Sequence, residues 1–84
     1  MSQVEVTFVP QKQEGEHIVR HPHKDTVSFR VPREDAQDDD GNLMEGDTYK
    51  SDSLRGHRNA PDKLKDEDHP EFHEGPYRME LKGL

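Results

Sequence analysis

Cysteine and tryptophan are both absent from the 84 residues, aromatic residues make up only 6%, and no more than two apolar residues run together anywhere in the chain. Without cysteine there is no disulfide and no thiolate metal site, and the redox compartment leaves no mark on the sequence. The opening residues, Met1-Ser2-Gln3-Val4-Glu5-Val6, contain no basic segment followed by an apolar one. That pattern predicts neither a signal peptide nor a membrane span, and hence synthesis in the cytoplasm. Glycine-rich phosphate cradles of the Gly-x-Gly-x-x-Gly kind and Gly-x-Ser-x-Gly elbows are missing as well, so the sequence reads as a non-enzyme with no cofactor.

What is present is mostly polar. Hydrophobic residues account for 26% and charged residues for 37%, with a mean hydropathy of −1.32. So few apolar side chains argue against 84 residues ordering unaided, because each ordered residue loses conformational freedom that burial has to offset. The densest β-forming run is Val4-Glu5-Val6-Thr7-Phe8-Val9, in which Val4, Val6 and Phe8 alternate with polar residues and would line one face of a strand. Pro10 lacks a ladder donor, which predicts a stop at Val9 or Pro10. Thr26-Val27-Ser28-Phe29-Arg30-Val31 repeats the pattern and is closed by Pro32, with Val27, Phe29 and Val31 on one face. Glu16 to Arg20 is a weaker extended segment between them. The expected fold is mainly β with extensive coil: a small N-terminal antiparallel meander of two or three short strands, then a long irregular acidic tail.

A break in composition falls near Pro32. Residues 1–31 hold four Lys/Arg and four Asp/Glu, whereas residues 32–84 hold eight and fifteen, so the formal net charge of −7 belongs to the second part. The expected organisation is a β module over residues 1–32, an extended acidic segment over 33–75, and a docking strand over 76–84. Between Pro32 and Gly75 no apolar period persists. Asp38-Asp39-Asp40-Gly41-Asn42 reads as a solvated turn, and Asn59 to Lys65 as one short helix with Pro61 in its first turn. Tyr77, Met79 and Leu81 alternate again, as a fourth strand of this sheet or as a peptide on a neighbour's edge.

Six histidines invite a zinc reading through His21, His23, His69 and His73, four imidazoles being a possible tetrahedral set. Pro70 disfavours helical backbone at His69, so His69 and His73 do not share a helical face, and solvated loop histidines are the better reading. The aspartates at 38–40 miss calcium-loop spacing, since with Gly41 as the central glycine Ala36 would fall at the first ligand position. No metal site is expected. Arg55-Gly56-His57-Arg58, with Tyr49 and Lys50 nearby, is a basic island too small for a nucleic-acid footprint on a chain of pI about 5.2. It suits an acidic partner surface or the chain's own aspartates instead.

The function expected from these features is structural: an assembly protein docking on a larger complex of many subunits, such as a minor or cement-like component of a viral or phage particle. Val4, Val6, Phe8, Val27, Phe29 and Val31 would anchor it. Leu54, Leu64, Phe72, Tyr77, Met79 and Leu81 would act as pegs along the tail, with Arg55 and Arg58 as polar contacts. The alternatives are a small acidic inhibitor that imitates a polyanion, and a histidine-dependent metal-binding domain.

Overall fold

A computed structural model describes residues 2–44, 46–47, 52–72 and 76–84. Its frame is one long strand, β1, Gln3–Glu14. On one edge β1 carries two antiparallel partners in succession: β3, Val27–Pro32, pairs with its first half from Gln3 to Phe8, and β2, His17–Arg20, pairs with its last four residues. The other edge pairs from Val4 to Pro10 with β5, Tyr77–Gly83, whose far side holds the two-residue strand β4, Gly46–Asp47. The protein is therefore mainly antiparallel β with coil, N-terminal strands followed by an irregular segment and a C-terminal strand. The strand at 77–83 returns to its own sheet.

β1 does not stop at Pro10, as the missing donor predicted; it runs on to Glu14. The reason lies in what Pro10 faces. Its carbonyl accepts from the His21 N–H at 2.8 Å, so its nitrogen points to that same edge. That edge has a gap there, since the β3 ladder ends at Phe8 and the β2 ladder starts at Gln11. Only the reciprocal bond of the Pro10–His21 pair, at the end of the β2 ladder, goes unmade, and on the opposite edge Gln11 N–H donates to the Pro76 carbonyl at 3.1 Å. Pro32 is tolerated similarly: the Arg33 N–H to Ser2 carbonyl bond fixes the register so that Pro32 directs its nitrogen away from β1.

Alternation puts Val4, Val6 and Phe8 of β1, Val27, Phe29 and Val31 of β3, and Tyr77 and Met79 of β5 on one face. Phe8 is its centre, with ring centroids 6.1 Å from Phe29 and 5.6 Å from Tyr77. The cover is the irregular acidic segment. Short turns deliver Ala36, Leu54, Ala60, Leu64 and Phe72 onto the face, and all five are buried. Four of them ride on a 3₁₀ turn at Arg33–Ala36, a four-residue helix α1 at Asp52–Arg55, and 3₁₀ turns at Asp62–Leu64 and Pro70–Phe72, and Ala60 sits in a bend between the second and the third. The short helix expected over 59–65 thus shrinks to Asp62–Leu64, with Pro61 in extended geometry before it. Among the described residues no buried side-chain nitrogen or oxygen lacks a hydrogen-bond partner, and no helix is long and apolar enough to cross a membrane.

Leu64 and Phe72 are both 0% exposed, so truncation of either removes packing in the isolated chain. Leu64→Ala is expected to cost about 2–5 kcal/mol and Phe72→Ala about 3–5 kcal/mol, measured by urea unfolding of the purified protein. Unchanged midpoints would mean that these side chains do not form its core.

Candidate functional site

The anchors and pegs read from the sequence are placed inside the molecule. Val4, Val6, Phe8, Val27, Phe29 and Val31 form the inner sheet face; Leu54, Leu64 and Phe72 form the cover; Tyr77 and Met79 complete the sheet; Leu81 packs partly buried against it. The basic island divides. Arg55 turns inward and donates through Nη1 to the Phe72 carbonyl at 3.2 Å and the Tyr77 hydroxyl at 2.9 Å, tying the cover to β5. Arg58 stays exposed. Tyr49 and Lys50 lie outside the described residues.

His57 has the look of a catalytic dyad, with Nε2 2.8 Å from Asp35 Oδ2 and its side chain 10% exposed. Its other nitrogen decides the matter. Nδ1 accepts the Asn59 backbone N–H at 3.0 Å, which leaves Nε2 to donate to Asp35. With both ring nitrogens engaged, none is open to a substrate proton. Asn59 in turn donates through Nδ2 to the Arg30 carbonyl on the outer edge of β3. The group is a clasp that holds residues 57–60 against β3 and the turn at Asp35.

A second cluster joins the cover to the loop before β3. Glu71, its side chain 10% exposed, lies 3.3 Å from His69 Nδ1 and 3.9 Å from Lys24 Nζ. Burial alone would push its carboxyl up. The backbone N–H of Glu71, the His69 ring and the Lys24 ammonium outweigh that and hold it below its ordinary value of 4.5. His21 and His23 stack edge to face at 6.0 Å, and His73 is outside the described residues. Among the described residues no three histidine, aspartate or glutamate side chains gather to hold a metal ion.

The acidic turns are ordered by their own side chains. Asp38 Oδ1 accepts the N–H groups of Asp40 and Asn42, and Gly41, at φ +83°, completes the turn. Asp66 Oδ1 accepts the Asp68 N–H. A shallow groove of about 340 Å³ opens elsewhere, beside Gln3, Arg30, Pro32 and Glu34. One cation and one anion on its wall assemble no reacting centre.

Among the described residues, no core side chain covers the hairpin arm made by Gln11–Glu14 of β1 and β2. No arm residue belongs to the core, and Ile18 is 54% exposed at its centre. Twelve extended residues at about 3.3 Å each reach roughly 40 Å, close to the 41 Å longest dimension, so the arm forms one end of the molecule. Gly15 sits at φ +60° as first residue of the two-residue turn between Glu14 and His17, the geometry of a type II′ hairpin. Sequence reading rated this segment the weakest strand and passed over Ile18. The available signals were Gly15 in a two-residue turn and an Ile-Val pair with nothing nearby to cover it. Comparison of the chain with protein-family models, with curated proteins and with solved structures yields no match.

The depressed Glu71 carboxyl contributes stability that is present above its ordinary value of 4.5 and lost as pH falls from there through its lower native value. Glu71→Gln is expected to be less stable than the parent at neutral pH, with the gap narrowing in acid. Urea midpoints at about pH 7 and about pH 3 read it; a gap constant with pH removes the charge of Glu71 from the account.

Proposed function

We propose that the protein is a non-enzymatic binding and assembly component that docks on a larger protein complex through its β1–β2 arm. The observation that supports this reading is the arm itself: an exposed two-stranded hairpin with Ile18 at its centre, a large apolar side chain that among the described residues is as exposed as Leu84, while the apolar faces of β1 at residues 4, 6 and 8 and of β3 are turned into the core. An edge strand offers main-chain donors and acceptors in a row, and an apolar residue beside them gives a partner strand something to cover. The role that sequence reading gave to the six β-face anchors and the tail pegs moves to this arm, and the body becomes the scaffold that holds it. A minor or cement-like place in a viral or phage particle is one setting in which such an arm would work.

A second reading draws on the acidic turns. The side-chain bonds from Asp38 and Asp66 hold clustered carboxylates on fixed turns, as imitation of a polyanion for a basic partner requires.

One experiment separates the two. The protein is recovered with its native complex at low and high salt, beside Ile18→Lys and Asp39→Asn. Docking by the arm predicts that Ile18→Lys loses the complex, that Asp39→Asn keeps it, and that raising salt from about 50 to about 500 mM leaves binding largely intact. Loss with salt and with Asp39→Asn, and indifference to Ile18→Lys, would replace the first reading by the second.

A further inference from the structure

We infer that the outer edge of β2 pairs with the same edge of a second copy of this chain, forming a two-fold dimer with a sheet continuous across the interface. The inference rests on the arm as the docking element and names its partner.

Hydrogen-bond parity comes first. The His21 N–H to Pro10 carbonyl bond and the β1–β2 register direct the backbone groups of His17 and Val19 toward β1. Alternation then sends the N–H and C=O of Ile18 and Arg20 outward. Outward-facing residues are the ones that form close hydrogen-bonded pairs with an added antiparallel strand. Setting Ile18 opposite Ile18 of the second copy places the two-fold axis at that pair, where each donates to and accepts from the other.

Side chains agree with this register. Arg20 ends β2 and Glu16 sits in the turn at its other end, so in this register each Arg20 reaches the turn of the second copy, where Glu16 is, twice per dimer. The Ile18 pair covers itself. Cross-strand apolar and opposite-charge pairs are what stabilise an antiparallel interface, and an isologous contact requires this self-complementarity. A register shifted by one residue would set inward-directed groups against outward ones and lose both.

Other edges are engaged in part. On β3 the Arg30 carbonyl is taken by Asn59 and Pro32 has no N–H to offer; on β5 the outer side at Arg78 and Met79 is occupied by β4. Arg20 makes an exposed contact, Nη2 to the Thr26 hydroxyl at 3.2 Å, which a carboxylate partner can replace. β2 is short, but it carries no proline, no lysine and no bulge.

A four-residue edge makes a small interface, so the dimer is weak and is sought by sedimentation equilibrium of the purified full chain up to about 1 mM. Reversible dimerisation is expected. Glu16→Arg alone and Arg20→Glu alone each weaken it about tenfold, and the double exchange restores it, since the pairs re-form with reversed sign. Ile18→Pro abolishes it: the N–H it removes points away from β1, so the hairpin keeps its own ladder, which circular dichroism checks. A chain monomeric throughout, or a dimer indifferent to Ile18→Pro or not rescued by the double exchange, overturns the inference. If the native complex nevertheless still depends on Ile18, the arm reading stands and only the second copy is lost; if that dependence fails too, both fall.

Discussion

Phe8 is held between Phe29 and Tyr77, and everything else in the fold depends on the strand that puts it there. β1 is paired on both edges over the same stretch, so its apolar residues at 4, 6 and 8 sit in the middle of a sheet rather than on its rim. One chain segment thereby organises two others that are distant in sequence. A single alternating strand would be unstable in water; flanked on both sides and covered, it anchors a small core.

The cover shows how a polar segment can serve as a second layer without regular structure. Its apolar residues arrive singly, and each rides on one turn: Ala36, Leu64 and Phe72 on 3₁₀ turns, Leu54 on the four-residue helix. Between them the backbone is satisfied locally. Asp38 and Asp66 accept neighbouring N–H groups, and the His57 clasp joins a turn to the edge of β3. Acidic composition and ordered backbone are compatible here because the carboxylates themselves supply acceptors that helix or sheet would otherwise provide.

The strands were legible because a period of two is a local property: Val4-Val6-Phe8, Val27-Phe29-Val31 and Tyr77-Met79 announce their faces without reference to the rest of the chain. The cover was not legible. A lone leucine between charged residues looks the same whether it will be buried at home or against a partner, and only tertiary packing decides for Leu54, Leu64 and Phe72. The same local reasoning placed a stop at Pro10, since a missing donor matters only where a partner strand needs it, and the switch from β3 to β2 is a feature of the assembled sheet. Residues of the arm were underweighted for the opposite reason: Ile18 and Val19 are adjacent and give no alternation, although the turn at Gly15 marks the hairpin.

The pairing of β1 with β5 joins Val4 to Gly83, 79 positions later in the chain. During synthesis at about 5 to 20 residues per second, the first strand waits roughly 4 to 16 seconds for that partner to be made. Throughout this interval β1 can hold β2 and β3 but has an open edge on its other side, and Phe72 and Tyr77, which shield its face, have yet to emerge. The nascent chain therefore passes through a window of exposure in which a chaperone or another β-rich chain could capture it, and slower translation of residues 33–76 would widen that window.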